Sequence, residues 1–334
     1  MFEKDGKTNK GKLFLGRKDM RKKITIIGAG SVGAVTAYSL LARNVASEVV
    51  LIDINEDKAL GEALDIKQAT PFLDNCDIYA GSYRDAVGSD VVIITSGIGR
   101  KPGQTRLDLV RTNVGIIKSI SAEIVKYAPK ALYILVANPV DILTYAFLKC
   151  TGLPKNQVFG TGTALDTIRL RTRLAEIYKV NKQQVHANVL GEHGDTSFVA
   201  WSAATIAGIP LDEYNKSVVN HSDIITDYTH EEVEEYVKKS GGKIISRKGC
   251  TVFGIATTSM HIIKNISGNA KTAMTISSLH EGEYGINDVC LSSLSLVDSK
   301  GVNSIITQSL SDDELRRLHN SAETLKSIIR EIEF

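Results

Sequence analysis

The sequence predicts an α/β protein with a doubly wound parallel sheet in its first half and an α+β domain in its second half. In the first half, short apolar runs such as "DVVIIT" and "ALYILVAN" alternate with helix-compatible segments, as strands buried in a parallel sheet do. After about residue 150 this alternation loosens. We therefore predict a disordered basic extension at residues 1–20, one domain at 21–150 and a second at 151–334.

Length and composition agree with this division and exclude several classes of protein. A chain of 334 residues is long enough for two domains, and its 43% hydrophobic and 23% charged residues are typical of globular proteins. Apolar runs stay well short of the roughly 20 residues that cross a bilayer, so no membrane partner is expected. The four cysteines lack metal-site spacing, which predicts no metal and the reduced thiols of a cytoplasmic protein.

The first 23 residues carry the positive charge of the chain. They contain nine Lys or Arg residues and three Asp or Glu residues, whereas the whole chain has a net charge of only +2. The remainder is therefore negative, which argues against a nucleic-acid surface. The segment also lacks the apolar stretch of a secretory signal, so we expect a solvated extension on a cytoplasmic protein.

Three glycines follow the first predicted strand, "KITII", and precede an apolar helix. Gly28 permits a tight turn, Gly30 lets a pyrophosphate approach the backbone, and Gly33 lets helix and strand pack closely. The helix N-terminus offers free N–H groups and the positive end of a dipole to the phosphates. We therefore assign these glycines, together with Ser31 and Val32 between them, to a dinucleotide cofactor.

The second predicted strand, "EVVLIDIN", reaches Asp53, which lies 20 residues beyond the last glycine. A carboxylate there accepts the ribose hydroxyls and repels a 2′-phosphate, which favours NAD over NADP; the alternative is a turn residue at a strand end. This is the Rossmann-type arrangement, in which ligands bind at the carboxyl ends of the strands. Gly97 and Asn138 follow two such strands and are pocket candidates, and Asn113 is assigned to the cofactor as well.

Chemically reactive side chains are concentrated after residue 160. Asp166 and Arg169 share one face of a predicted helix, a spacing that is more often a surface ion pair. His193 lies between Gly191 and Gly194, where an exposed imidazole can transfer a proton and a nearby carboxylate would raise its pKa. With a dinucleotide turn, these groups suit hydride transfer between a nicotinamide and a 2-oxo acid.

Four motifs, "GAGSVG", "ANPVDILTY", "LDTIRLR" and "GEHGD", resemble the L-lactate/malate dehydrogenase family over residues 21–334. The resemblance implies that His193 is the proton donor and acceptor, that Asp166 orients it, and that Arg169 binds the substrate carboxylate. It also implies that Arg106 polarises the reacting carbonyl and that Asn138 binds near substrate and nicotinamide, with a cis peptide bond to the following proline. Homodimers or homotetramers are implied too.

The loop "GIGRKPGQTR" resembles the family's mobile lid, and Arg100 occupies the position that discriminates between substrates. A guanidinium closed into a pocket needs an anionic partner, which oxaloacetate supplies and pyruvate does not. The sequence therefore predicts an NAD-dependent malate dehydrogenase that interconverts L-malate and oxaloacetate, within carbohydrate metabolism and the tricarboxylic acid cycle.

Other features favour different interpretations. Thr251, assigned to the substrate site, matches a threonine typical of lactate enzymes. Arg171 and His186 match residues that bind fructose-1,6-bisphosphate in activated bacterial lactate dehydrogenases, although such residues are commonly surface or interface groups. An L-lactate dehydrogenase, with or without this activation, is the alternative. A non-catalytic NAD-binding module would need only the glycine turn and Asp53.

Two further helices are predicted in the second half. The segment "HEEVEEYVKKSGGKIISRKG" is charged and helical, and we interpret it as a solvated helix. The final segment opens with Ser311 and Glu314 as a capping box, followed by an apolar stripe, which predicts a packing helix.

Overall fold

The computed structural model describes residues 22–73, 76–99, 103, 105–217 and 228–332, without the side chains of Arg106, Asn215 and Ser217. The predicted extension at residues 1–20 and the predicted substrate residue Arg100 lie outside the described residues. Within the described ranges the predicted fold class is confirmed, because a Rossmann-type sheet is followed by a mixed α/β region. No helix in these ranges is both long and apolar enough to cross a membrane.

The elements are numbered in chain order over the described residues. The helices are α1 (Ser31–Ala42), α2 (Glu56–Lys67), α3 (Arg106–Tyr127), α4 (Val140–Thr151), α5 (Ala164–Tyr178), α6 (Leu211–Ser217), α7 (His230–Lys248), α8 (Phe253–Ser267) and α9 (Asp312–Arg330). The strands are β1 (Lys22–Ile27), β2 (Ala46–Ile52), β3 (Asp77–Ala80), β4 (Val91–Ile94), β5 (Leu132–Leu135), β6 (Val158–Gly160), β7 (Val185–His186), β8 (Val189–Leu190), β9 (Phe198–Val199), β10 (Thr205–Ile206), β11 (Ile209–Pro210), β12 (Thr272–Glu281), β13 (Asn287–Asp298) and β14 (Gly301–Ile305).

One large sheet joins both halves of the chain. Its order is β14-β13-β12-β6-β5-β4-β1-β2-β3, and the six strands from β6 to β3 run parallel. β12 continues the sheet antiparallel to β6, and β13 and β14 follow antiparallel. The strand order reverses between β1 and β4, and ligands bind at such switch points in doubly wound sheets.

The parallel strands are apolar on both faces because helices cover both sides. Successive strand residues point to opposite faces, so the strand side chains divide between two cores. One core holds Ile24, Ile26, Val49, Leu51, Ile93 and Ile134. The other holds Ile27, Val50, Val92, Ile94, Tyr133 and Leu135. Each fully buried side chain of this size contributes about 1.5–3 kcal/mol, which makes the sheet a stiff platform for the loops at its edge.

The last helix and α7 are both helical where the sequence predicts helices. In α9 the Ser311 hydroxyl accepts a hydrogen bond from the Glu314 N–H, and the Glu314 carboxylate accepts one from the Ser311 N–H. Its apolar stripe, including Leu318, Leu325 and Ile329, packs into the core that contains Tyr133 and Leu135. α7 packs instead in a third core with α5 and the short strands of the second half. This core supports the turn that carries His193.

Candidate active site

A cavity of about 420 Å³ lies at the carboxyl ends of the parallel strands, between the sheet and the second half of the chain. Its lining includes seven of the side chains or backbone positions that the sequence singled out. These are Val32, Gly97, Asn138, Asp166, Arg169, His193 and Thr251. The sheet edge and the second half therefore contribute to one site, as the strand ends predicted.

Of the three glycines in the turn, Gly30 is the one that no contact among the described residues requires to be a glycine. Gly28 has φ +107°, and a Cβ there would lie 2.6 Å from the Thr95 hydroxyl. A Cβ on Gly33 would lie 1.9 Å from the Gly28 carbonyl oxygen. Gly30 has an extended backbone with φ −75°, and a Cβ there would meet nothing within 4 Å. The open space in front of the α1 N-terminus fits a pyrophosphate.

Asp53 lies directly after β2 and is tied to the same turn. One carboxylate oxygen accepts a hydrogen bond from the Ala29 N–H at 2.7 Å, and the other accepts one from the Asn55 N–H at 2.9 Å. Asp53 therefore acts as a strand-end turn residue. Each carboxylate oxygen retains acceptor capacity for a ribose hydroxyl, so the two interpretations of this residue are compatible.

Asn113 is buried on α3 and bridges two loops at the strand ends. Its Oδ1 accepts from the Ile98 N–H at 2.9 Å, and its Nδ2 donates to the Ile98 carbonyl at 3.1 Å and to the Asn138 carbonyl at 2.7 Å. The amide thus uses both donors on the protein backbone. This geometry makes Asn113 a support for the cofactor loops, and a direct contact with cofactor stays a prediction.

His193 and Asp166 form the central hydrogen bond of the cavity. The imidazole Nδ1 lies 2.5 Å from Asp166 Oδ2, and the side chains are 26% and 9% exposed. Burial alone disfavours the charged imidazole, but the charge and hydrogen bond of Asp166 outweigh it and raise the pKa of His193 to about 9. Burial likewise opposes ionisation of Asp166, yet His193 and Arg169 hold its pKa below the usual value. The pair therefore favours an imidazolium next to a carboxylate.

Asp166 and Arg169 lie one turn apart at the start of α5. Arg169 Nη1 donates to Asp166 Oδ1 at 2.8 Å, and the arginine side chain is 16% exposed. The expected i, i+3 pair is thus present, but it lines the cavity rather than the outer surface. Nε and Nη2 of Arg169 have no hydrogen-bond acceptor among the described residues, so the guanidinium retains donors for a carboxylate.

The other predicted substrate residues are distributed around the cavity. Asn138 lines it, and its peptide bond to Pro139 is cis, as the resemblance implied. Thr251 lines it from the segment between α7 and α8. Arg106 is the first residue of α3 after the Thr105 cap, but its side chain lies outside the described part of the structure.

The two predicted effector residues lie apart from the cavity lining. Arg171 Nε donates to the Ala187 carbonyl at 3.0 Å, and its Nη2 donates to Asn188 Oδ1 at 3.1 Å. His186 is exposed on β7. Arg171 is therefore engaged with the strand region next to His186, which brings the two predicted residues into one neighbourhood.

The interpretation of α7 as a solvated helix is wrong along one face. Lys238, Gly241, Gly242 and Ile245 line the cavity, and a Cβ on Gly241 would lie 3.7 Å from Arg169 Nη2. Charged residues dominate the sequence of α7, so its cavity-facing side carries no apolar periodicity. The adjacent glycines were the available signal, because two glycines inside a helix cost stability without an obvious local benefit.

Asp141 is a further residue of the site that the sequence did not indicate. It lies in the first turn of α4, and its Oδ2 accepts a hydrogen bond from the His193 backbone N–H at 2.7 Å. Nothing in the local pattern of "NPVDILTY" indicates a partner 52 residues away. Only the folded chain brings them together.

The fold agrees with comparisons to known proteins. Residues 22–160 match the family described as lactate/malate dehydrogenase, NAD binding domain, and residues 163–333 match the corresponding alpha/beta C-terminal domain. The chain belongs to the lactate/malate dehydrogenase family. It is an NAD-dependent dehydrogenase, and its cofactor is NAD.

Particular relatives are named L-lactate dehydrogenase. The chain is 45% identical to that of Acetivibrio thermocellus and 44% identical to that of Clostridium perfringens, in each case over 93% of this chain and 98% of the relative. A solved minor L-lactate dehydrogenase from Enterococcus mundtii is 37% identical, with a TM-score of 0.88 over 94% of this chain and 99% of that one.

The prediction of malate dehydrogenase is wrong, because these relatives are lactate dehydrogenases. The prediction depended on one guanidinium at position 100, which lies outside the described residues. Substrate preference is a difference in transition-state free energy summed over every contact in the pocket. Arg100 is a single contribution to that sum, and its presence alone did not justify choosing oxaloacetate as the substrate.

Proposed function

We propose that this protein is an L-lactate dehydrogenase that interconverts pyruvate and L-lactate with NAD. The observation that carries the chemistry is the Asp166–His193 hydrogen bond, 2.5 Å long, with Arg169 on the same cavity wall. The choice of pyruvate is supported by relatives of that name at 42–45% identity. The joint presence of these groups also argues against a non-catalytic NAD-binding module.

His193 is proposed to move the proton. Its Nδ1 is occupied by Asp166, which leaves Nε2 to donate to the ketone oxygen of pyruvate and to accept the hydroxyl proton of lactate. Asp166 selects this tautomer and stabilises the imidazolium. NAD, when bound, supplies the hydride chemistry at the substrate carbon. In the reducing direction, one hydride and one proton convert the ketone to the alcohol.

Arg169 is proposed to bind the substrate carboxylate through Nε and Nη2, in the two-pronged geometry that guanidinium favours. Its Nη1 bond to Asp166 holds the fork in place and prevents free rotation. Arg106, which begins α3, is proposed to stabilise the negative charge that grows on the ketone oxygen. Asn138 is proposed to bind near substrate and nicotinamide.

The cofactor contacts are proposed as follows. The turn from Gly28 to Gly33, including Ser31 and Val32, holds the pyrophosphate, and Gly97 borders the nicotinamide side of the cavity. Asp53 accepts hydrogen bonds from the adenosine ribose.

The substrate side chain has apolar neighbours in the cavity. Leu165, Ile245 and Ile255 line it together with Thr251, whose methyl group adds to the apolar surface. Transfer of a methyl group from water to such surroundings is favourable, whereas a second carboxylate must be desolvated and paired. The apolar part of the wall therefore suits the methyl group of pyruvate, although Lys238 also lines the cavity.

Self-association as a homodimer or homotetramer and a cytoplasmic location are also proposed. Exposed apolar side chains on α2 and α8 support self-association, with Leu60 49%, Leu64 53% and Phe253 67% exposed. Binding of fructose-1,6-bisphosphate at Arg171 and His186 stays a proposal on the resemblance alone.

Initial rates of NADH oxidation with pyruvate and with oxaloacetate, measured side by side, test the proposed function. We expect the larger kcat/KM with pyruvate, with and without fructose-1,6-bisphosphate. A larger kcat/KM with oxaloacetate under both conditions would overturn the assignment. Activation by the sugar bisphosphate in the wild type, and its loss in Arg171→Gln, would support the effector site.

A further inference from the structure

Asp141 is a buried carboxylate that the proposed reaction does not use directly. It is 2% exposed at the start of α4, and its Oδ2 accepts the backbone N–H of His193 at 2.7 Å. A hydrogen bond from a main-chain N–H to a carboxylate is among the stronger ones available to a loop. It joins α4, which begins directly after the Asn138–Pro139 segment of the cavity, to the turn that carries His193.

The second carboxylate oxygen of Asp141, Oδ1, is buried without a hydrogen bond to any residue that the structure describes. Oδ1 has no hydrogen-bond partner of acceptable geometry within the described residues, and the same holds for the fully buried hydroxyl of Ser277 on β12. The Ser277 hydroxyl is nevertheless close enough to lower the pKa of Asp141. Burial is the larger effect and raises that pKa to about 6. A buried carboxylate with one unpaired oxygen destabilises the fold, so a benefit elsewhere is expected.

The chain just before His193 is bonded to other elements of the fold. Gly191 forms two main-chain hydrogen bonds with Ser292 of β13, and the Glu192 N–H donates to the Ser321 hydroxyl of α9. At the histidine itself, Asp141 accepts the main-chain N–H. Asp166 on α5 holds the imidazole through Nδ1, but a hydrogen bond to the ring does not fix the main chain. Asp141 holds the main chain from a different helix, so the residue is fixed at two points.

We infer that Asp141 is a positioning residue for His193, fixing its backbone and adding a second buried negative charge beside the imidazolium. This inference rests on the proposed function, because it assumes that His193 transfers the proton. Its physical basis is that a displacement of about 1 Å at a reacting group can cost roughly 10²-fold in rate.

The charges that face Asp141 come from several elements. His193 is the cation, Glu192 is the neighbouring anion on the same turn, and Cys290 on β13 is a buried thiol within reach of its field. Asp141 and Asp166 both favour the charged form of His193, whereas Arg169 opposes it. Removing the charge of Asp141 therefore makes protonation of His193 less favourable.

Two variants distinguish the hydrogen bond of Asp141 to the His193 main chain from its negative charge. Asp141→Asn removes the charge, and Asp141→Ala removes both. The asparagine can still accept the His193 N–H and can donate toward Ser277, so we expect kcat for pyruvate reduction to remain within about tenfold at low pH. The pH profile of its kcat/KM should shift down by about 0.5–1 unit, because the second negative charge is gone. Asp141→Ala should lose about 10²-fold in kcat with KM for pyruvate within about threefold, because Arg169 is untouched.

Glu314→Gln is the matched control. Glu314 is also a buried carboxylate that accepts a main-chain N–H, from Ser202 at 2.9 Å, but it lies outside the cavity lining. Glu314→Gln should lower the melting temperature and leave the pH profile of kcat/KM for pyruvate unchanged. Melting temperatures of all variants identify any that fail to fold. If Asp141→Ala does not fold, the pH profile of kcat/KM for Asp141→Asn tests the inference by itself.

An Asp141→Asn profile that superimposes on that of the wild type would overturn the charge contribution. If Asp141→Ala also folds and keeps the wild-type kcat, the positioning role is overturned as a whole. A wild-type enzyme that fails to reduce pyruvate would instead contradict the proposed function. The two failures are therefore distinguishable.

Discussion

Two glycine-containing turns form the proposed cofactor and proton-transfer sites of this protein, and they work in opposite ways. The turn at residues 28–33 presents backbone: Gly28 and Gly33 are required by close packing, and Gly30 leaves open space before a helix N-terminus. The turn at residues 191–194 presents one side chain, and its position depends on Asp166 from α5 and Asp141 from α4. A site for a phosphate can thus be local, whereas a site for proton transfer depends on contacts between distant segments.

The largest expected effect is in the second turn. His193→Asn keeps the approximate shape of the side chain but removes the titrating nitrogen, so kcat for pyruvate reduction should fall by roughly 10²–10⁴-fold. NADH affinity should stay within about twofold, because the first turn is untouched. Steady-state rates and a fluorescence titration with NADH measure both quantities. Turnover close to that of the wild type would remove His193 from the mechanism.

The first turn is tested by a pair of alanine substitutions. Gly33→Ala places a Cβ against the Gly28 carbonyl and should destabilise the protein by about 1–3 kcal/mol or more while weakening NADH binding. Gly30→Ala meets no protein atom, so it should weaken NADH binding with little loss of stability. Thermal unfolding and NADH titration separate the two results. Equal NADH affinity in Gly30→Ala and wild type would contradict the proposed approach of the pyrophosphate.

The pH dependence tests the electrostatics of the second turn. Asp166 raises the pKa of His193 to about 9, and in the proposed mechanism pyruvate reduction uses the protonated imidazole. The kcat/KM for pyruvate should therefore fall about tenfold per pH unit above that value, while lactate oxidation should increase up to it. Asp166→Asn should shift the pH dependence of both pyruvate reduction and lactate oxidation to lower pH. Profiles that do not move with Asp166→Asn would mean that another group is being titrated.

The smallest expected effect concerns the glycines of α7 beside Arg169. Alanine at 241 and 242 should stabilise the helix by about 1 kcal/mol per site, because neither glycine has a positive φ or a tight contact. The added methyl groups narrow the cavity, so kcat/KM for 2-oxobutanoate should fall more than that for pyruvate. Gly61→Ala, on the exposed face of α2, is the control that should stabilise without changing this ratio. A ratio unaffected by the α7 substitutions would exclude this wall from substrate selection.

Several parts of the molecule were predictable from sequence because their determinants are local. The glycine turn, Asp53 and the capped helix α9 each depend on residues within about 20 positions of one another, and on spacing rules that hold in many folds. The same holds for the central parallel strands β4 and β5, which are short apolar runs.

Other parts were not predictable in this way. The resemblance, rather than any pattern, linked Asp166 to His193, and Asp141 was missed because its partner is 52 residues distant. α7 was interpreted as solvated because its charged residues conceal the face that meets Arg169. The malate prediction failed for a related reason: the chemistry of one loop residue was taken for the sum of a whole pocket.

The sequence by itself determined the class of fold, the cofactor turn and the kinds of groups that react, because backbone preferences and hydrophobic periodicity act over short stretches of chain. Tertiary structure alone decided which carboxylate meets which nitrogen of His193 and which helix closes the cavity. The physical reason is that hydrogen bonds and charges act over a few ångströms. Only packing of the sheet, α4, α5 and α7 brings groups that are far apart in sequence within that range.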